Sequence, residues 1–140
     1  MYDYFQQKGV NNLVWIWTTQ NGVDDPDYNP DTDWYPGDEY VDIVARDLYG
    51  RNANDNKREF LSIQKTYPSK MVALGECGYN TSSKADGAKI GDLWEAGALW
   101  SHFMVWYQGD YGSTWTMASD EWWKEAMNAG CVITRDDLPK

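Results

Sequence analysis

Histidine, cysteine and basic residues are scarce in this chain. One histidine, His102, and two cysteines, Cys77 and Cys131, supply neither a cysteine–histidine metal cluster nor a disulfide framework. Lys and Arg number 12 against 22 Asp and Glu, a formal net charge of −10. That balance repels polyanions, so nucleic acid is not an expected partner. It disfavours an anionic membrane surface for the same reason. No apolar run approaches the ~20 residues of a membrane-spanning helix. Met1-Tyr-Asp-Tyr-Phe5 has neither the basic n-region nor the apolar h-region of a secretory leader. No Gly-rich phosphate loop follows any predicted strand, and no cofactor or metal is expected.

Aromatic residues are abundant instead. Nine Trp and ten Tyr stand in 140 residues. Aromatic faces stack on flat apolar faces, those of sugar rings included. They also fill cores, and some of the nine Trp are expected to do only that.

Hydrophobic spacing divides the chain into alternating elements. Met1, Tyr4 and Phe5 share a helical face, and Lys8-Gly9 reads as its last turn and left-handed cap. The chain thus begins inside a helix, which leads us to expect an upstream part elsewhere. Asn12-Leu-Val-Trp-Ile-Trp-Thr18 predicts a strand buried on both faces. A polar segment follows from Gln20 to about Tyr35, and a loop of that length in a compact domain is usually functional or disordered. Its Asp25, Asp27, Asn29, Asp31 and Asp33 alternate as in a calcium loop. However, Pro30 stands where Gly is required and Pro36 where Glu is, so a solvated loop is favoured.

Residues 36–42 predict a helical turn and Ile43-Val-Ala-Arg-Asp-Leu-Tyr49 a second strand, with Asp47 and Tyr49 on one side of it. Asn56 and Glu59 form a candidate capping box for a helix with Phe60, Ile63 and Tyr67 inward, ended by Pro68. A third strand centres on Leu74. Ile90, Leu93, Trp94, Gly97 and Ala98 then follow helical spacing. Residues 101–108 predict a fourth strand. Ser119 caps a last helix with Trp122, Trp123, Ala126 and Met127 inward and Gly130 at its end. Residues 132–140 read as a tail.

Strand centres at Trp15, Ala45, Leu74 and Met104 recur about every 30 residues. Strands alternating with helices at that period imply βα units and a parallel sheet. A (β/α)8 barrel takes ~250 residues, or ~31 per unit, so four units make half of a TIM barrel. The whole chain, 1–140, is then one half-barrel domain. A small open doubly-wound sheet is the alternative architecture.

In such barrels the active site lies at the C-terminal ends of the strands. The stretch Lys70-Met-Val-Ala-Leu-Gly-Glu-Cys-Gly78 places Glu76 there, just past the apolar run Met71–Leu74. A carboxylate at the mouth of a buried strand is costly unless it is paired, hydrogen-bonded or used. Gly75 and Gly78 flank it and leave room for something bulky to approach. A salt-bridged strand cap is the plainer reading. The same face collects Thr18, Asp47, Tyr49, Trp106 and Tyr107, with a further loop carrying Tyr111 and Trp115. His102 falls early in its strand, where packing or hydrogen bonding is expected of it rather than catalysis.

The blocks Asn11-Asn-Leu-Val-Trp-Ile-Trp-Thr-Thr19, Asp33-Trp-Tyr-Pro-Gly-Asp-Glu-Tyr-Val-Asp-Ile-Val-Ala-Arg-Asp-Leu-Tyr49, Ala73-Leu-Gly-Glu-Cys-Gly78 and Phe103-Met-Val-Trp-Tyr107 resemble glycoside hydrolase family 26, mostly β-mannanases. The resemblance covers nearly the whole chain and corresponds to the C-terminal half of the catalytic barrel, strands five to eight. It implies Glu76 as the catalytic nucleophile, Tyr49 as the tyrosine that hydrogen-bonds it, and Asp47 as a neighbour on the same strand. It also implies Trp106 as the tryptophan lining the site of the cleaved sugar. Tyr107, Trp34, Tyr111 and Trp115 are expected to add substrate contacts. The implied chemistry is retaining hydrolysis of β-1,4-mannan, which needs two carboxyl groups ~5–5.5 Å apart.

The family's acid/base glutamate, preceded by a histidine, lies in a segment that would precede Met1, and no His-Glu pair occurs in these residues. General acid/base catalysis contributes ~10²–10⁴-fold, so the chain alone is expected to be weak or inactive. Half a barrel also leaves two unpaired edge strands. Two copies pairing edge to edge, or an N-terminal half from elsewhere, would close it; loose folding of a truncated product is the third outcome. Self-association is favoured among them. A carbohydrate-binding half barrel without catalysis and a purely structural scaffold are the competing functions. Secretion or a periplasmic location follows only from a polymeric substrate.

Overall fold

The computed structural model describes residues 1–20, 31–78, 87–106 and 118–139. Four parallel strands form one sheet in sequence order: β1 (Ile16–Gln20), β2 (Ile43–Tyr49), β3 (Met71–Gly78) and β4 (Phe103–Val105). Helices α2 (Ala53–Thr66), α3 (Ile90–Ala96) and α4 (Asp120–Asn128) follow strands two, three and four. α1 (Tyr2–Gln7) precedes the first strand. This is the expected half-barrel arrangement of βα units.

One face of the sheet carries the core. Val44 and Leu48 of β2, with Val72, Leu74 and Cys77 of β3, meet Phe60 and Ile63 of α2, Ile90 and Leu93 of α3 and Trp122 and Ala126 of α4. Phe60 and Ile63 are inward on α2 as their spacing predicts, and Tyr67 closes the row beyond its last turn. Ser119 caps α4, its Oγ accepting from the Trp122 N–H at 3.1 Å. Both the second strand and the 3-10 turn Asp38–Tyr40 fall where the sequence places them.

Other elements depart from expectation for local reasons. β1 starts at Ile16, and Leu13 and Val14 before it are exposed. Among the described residues β1 has a neighbour only on the β2 side, and Ile16 stays 46 % exposed, so this is an edge strand and is not buried on both faces. α2 begins one turn earlier than Asn56 implies. Asn52 is its cap, with Oδ1 accepting from the Asp55 N–H at 2.9 Å, while Asn56 is buried inside the first turn. The helical spacing of residues 90–98 stops short, because Gly97 adopts the left-handed conformation (φ 93°) and caps α3 after Ala96, leaving Trp94 exposed. β4 is only three residues long. Trp123 and Met127 of α4 are half-exposed rather than inward, and α4 ends at Asn128 with no left-handed glycine. The tail contains a further 3-10 turn, Arg135–Asp137, closed by a Thr134–Asp137 capping box.

The other sheet face bears Ile16, Thr18, Ala45, Asp47, Tyr49, Met71, Ala73, Gly75 and Glu76. Strand alternation and the parallel register align these residues, with one irregularity in β3.

Candidate active site

β2 and β3 build the site at their C-terminal ends. Asp47 and Tyr49 are two residues apart on β2, so they project to the same side. Glu76 does not reach that side by simple alternation. Val72 and Leu74 point into the helix layer, and regular pleating would send residue 76 after them. The β2–β3 ladder instead steps from Arg46 opposite Leu74 directly to Asp47 opposite Glu76, leaving Gly75 as an extra residue. The bulge returns Glu76 to the face of Asp47 and Tyr49 and hands the helix side to Cys77. Burial among apolar side chains pushes the Cys77 thiol up to about 12, so it is an inert core group here.

The Tyr49 hydroxyl donates to Glu76 Oε2. Burial, and then that hydrogen bond to a carboxylate, raise the Tyr49 phenol above its ordinary value, which keeps it a donor across the working pH range. Asp47 is half-buried opposite Glu76. Burial first, and the Glu76 charge second, push its carboxyl up to about 6, while the Arg46 cation and the Glu76 backbone N–H pull the other way. Among the described residues Asp47 Oδ1 is buried without a hydrogen-bond partner. The site therefore pairs a carboxylate oriented by a phenol with a second carboxyl that titrates near neutrality.

Gly75 does not open space for an incoming group, contrary to the sequence reading. The volume its side chain would take is already filled by Asp47 Oδ1, Thr18 Cγ2 and Ala45 Cβ. Trp106 lies one residue beyond β4, about a third exposed, and its N–H donates to the Cys77 carbonyl at 3.2 Å. That bond fixes it next in space to the end of β3. Trp34 is not gathered with these residues. It is 77 % exposed in a turn whose neighbours, Asp31 and Tyr35, are held on the helix side of the sheet by Arg46 and by Trp17 and Tyr67. Tyr107, Tyr111 and Trp115 lie outside the described residues, as do Asp25, Asp27 and Asn29 of the alternating acidic run. His102 is exposed just before β4, and its carbonyl accepts from the Leu74 N–H at 3.0 Å.

The sequence reading missed Arg46. It is about 1 % exposed, behind Asp47 on the helix side of β2. Its Nη2 lies 2.6 Å from Asp31 Oδ1 and its Nε 3.6 Å from Glu59 Oε2. A cation inside the apolar run Ile43–Leu48 was the available signal, since a buried Arg requires carboxylate partners. It holds Asp31, midway along the β1–β2 connection, against the back of the strand that carries Asp47.

Similarity to known proteins bears on the fold and the family. The profile of glycosyl hydrolase family 26 matches residues 1–137. A mannan endo-1,4-beta-mannosidase of Thermothelomyces thermophilus is 30 % identical over 93 % of this chain and 23 % of its own length. One from Bacillus subtilis is 30 % identical over 88 % of the chain and 36 % of its own length. The GH26 domain of an endo-beta-mannanase/endo-beta-glucanase from Prevotella bryantii is 50 % identical with a TM-score of 0.83, covering 97 % of this chain and 38 % of that one. A beta-mannanase from a symbiotic protist of the termite Reticulitermes speratus, solved with a gluco-manno-oligosaccharide, superposes at a TM-score of 0.67 with 31 % identity, covering 99 % of this chain and 39 % of that one. The chain thus spans well under half the length of these relatives, a partial TIM barrel beside their fuller chains. With four parallel strands in one sheet and a family match over nearly all its residues, this chain belongs to glycosyl hydrolase family 26.

Proposed function

We propose that the chain carries the nucleophile half of a retaining site that cleaves β-1,4-mannan. The observation that carries this reading is the Glu76 carboxylate, accepting from the Tyr49 hydroxyl on Oε2 and lying opposite the half-buried Asp47. With Oε2 engaged by Tyr49, Oε1 is the oxygen left to attack an anomeric carbon. Attack there forms a glycosyl ester and expels the leaving-group oxygen; water then cleaves the ester and regenerates the carboxylate. Tyr49 holds the attacking group in one rotamer. Asp47, half-buried opposite Glu76, sets the charge beside the attacking carboxylate, and Trp106 offers the sugar an apolar face. The relatives' activity on mannan supports the choice of substrate.

The acid that protonates the leaving oxygen comes from outside these residues, from four further βα units that close the barrel. Both edges of the sheet lack a neighbour among the described residues. On the inner face Met71 and Met104 are 58 % and 52 % exposed. Beside β4 an apolar groove of about 720 Å³, lined by Trp94, Leu99, Met104, Trp123, Met127 and Ile133, awaits cover. A second copy or an N-terminal half supplies it, and sedimentation of the purified chain tells the first from the second.

A substrate whose leaving group needs no proton tests the nucleophile directly. A dinitrophenyl β-mannoside should be turned over by the folded chain and not by Glu76→Gln, while manno-oligosaccharides, which need the acid, react at least ~10²-fold more slowly. A folded chain that binds manno-oligosaccharide but releases no dinitrophenolate would refute the catalytic reading and leave a carbohydrate-binding half barrel.

A further inference from the structure

We propose that Gly75 is the positioning residue of this site: as the extra, side-chain-free residue of a β-bulge, it turns Glu76 onto the face of Asp47 and Tyr49 and lets three strands close around that pair. Both ladders show the extra residue. Against β2, Arg46 faces Leu74 and the next residue, Asp47, faces Glu76. Against β4, Leu74 faces Phe103 and Cys77 faces Val105, three steps along β3 for two along β4. Without the bulge, Glu76 would follow Val72 and Leu74 into the layer of Phe60, Ile63 and Leu93, where an unpaired carboxylate is costly.

The position also excludes any larger residue. A Cβ at residue 75 would stand 2.9 Å from both Asp47 Oδ1 and Thr18 Cγ2 and 3.0 Å from Ala45 Cβ. These atoms cannot all move aside. The Ala45 methyl is fixed to the β2 backbone and Thr18 is β-branched, with restricted χ1. A side chain there enters only by shifting β3 or by driving Asp47 out of its place beside Glu76. Gly75 is therefore where the packing of β1, β2 and β3 and the orientation of the two carboxyls are set together. The charged and titratable groups around it are Asp47, Glu76 and Tyr49 on its own face, and Arg46 and Cys77 behind.

The functional meaning rests on Glu76 being the nucleophile; the geometry does not, and the experiment separates the two. Wild type and Gly75→Ala are prepared with labelled Tyr and Asp, and the Tyr49 ring and Asp47 carboxyl are titrated by NMR. Cooperative urea unfolding certifies the fold. In Gly75→Ala we expect Tyr49 to fall back toward the ordinary ~10 and Asp47 to move from about 6. Ile63→Val, a one-carbon change in the helix layer on the opposite side of the sheet, should leave both unchanged. If Gly75→Ala does not fold, Ala45→Gly is added to it, which removes the one methyl that cannot rotate while keeping the contact with Asp47. Wild-type titrations in a folded Gly75→Ala chain would overturn the proposal. So would loss of folding in both variants, since Gly75 would then serve the sheet as a whole. Trapping of Glu76 by an activated 2-fluoro-mannoside in the same samples reads the hydrolase assignment. A wild type that is not labelled, with titrations that still move in the variant, sinks the assignment and keeps the positioning role; the reverse pattern does the opposite.

Discussion

Asp47→Asn should make the folded chain more stable at pH 7. In the native chain burial and the Glu76 charge lift the Asp47 carboxyl from 3.8 to about 6. The folded state therefore holds its proton more tightly than the unfolded state between those values. Its contribution to stability is full below ~3.8, declines as pH rises through about 6, and is absent above. At 1.36 kcal/mol per pH unit the interval is worth ~3 kcal/mol, and because the group is half-exposed, solvent screening reduces this to ~1–2 kcal/mol. Asn keeps the shape and carries no charge, so the variant escapes the penalty at pH 7 and has no advantage at pH 4. With a urea m-value of ~1–3 kcal/mol/M, the unfolding midpoint should rise by roughly 0.5–1 M at pH 7 and stay level at pH 4. Urea titrations of both proteins at pH 4, 5, 6 and 7 check it. An Asn variant equally or less stable than wild type at pH 7 would refute the reasoning, because Asp47 would then be a well-compensated carboxylate. A stability gain with lost activity is the usual signature of a residue kept for function at the expense of the fold.

Arg46→Met leaves Asp31 and Glu59 without their buried cation and should cost ~3–5 kcal/mol in urea unfolding, much of it recovered when both carboxylates are neutralised as Asn and Gln. The same variant removes a charge that lowers the Asp47 titration, so that titration should move further up by NMR. Tyr49→Phe deletes the donor to Glu76, a charge-assisted bond of ~1.5–3 kcal/mol; release of dinitrophenolate should fall roughly 10–100-fold in kcat with KM little changed. Ser119→Ala removes the α4 cap and should cost ~1 kcal/mol, read as an unchanged m-value with a lower midpoint.

The elements that follow from local chemistry were legible in the chain itself. A stretch opened by the β-branched Ile43 and Val44 makes β2, its period of two puts Asp47 and Tyr49 together, and Ser119 ahead of an acidic first turn starts α4. The thirty-residue spacing of apolar runs gives the βα repeat, and hence the end of the sheet where a site is expected. Tertiary structure decided what depends on neighbours distant in sequence. β1 carries the same apolar residues as a central strand but has a neighbour on one side only among the described residues, because strand order is a property of the sheet. Arg46 reads as an oddity until Asp31 and Glu59 close on it from a loop and a helix. Trp34 resembles a binding aromatic until its turn is seen held on the helix side. Above all, Leu74-Gly-Glu76 does not say which way its carboxylate points. Alternation assigns Glu76 to the core side, and only the register against β2 and β4, with no room at Gly75 for a side chain, turns it toward Asp47 and Tyr49. A side chain's face follows from pairing, and pairing is settled by the partner strands rather than by the strand's own residues.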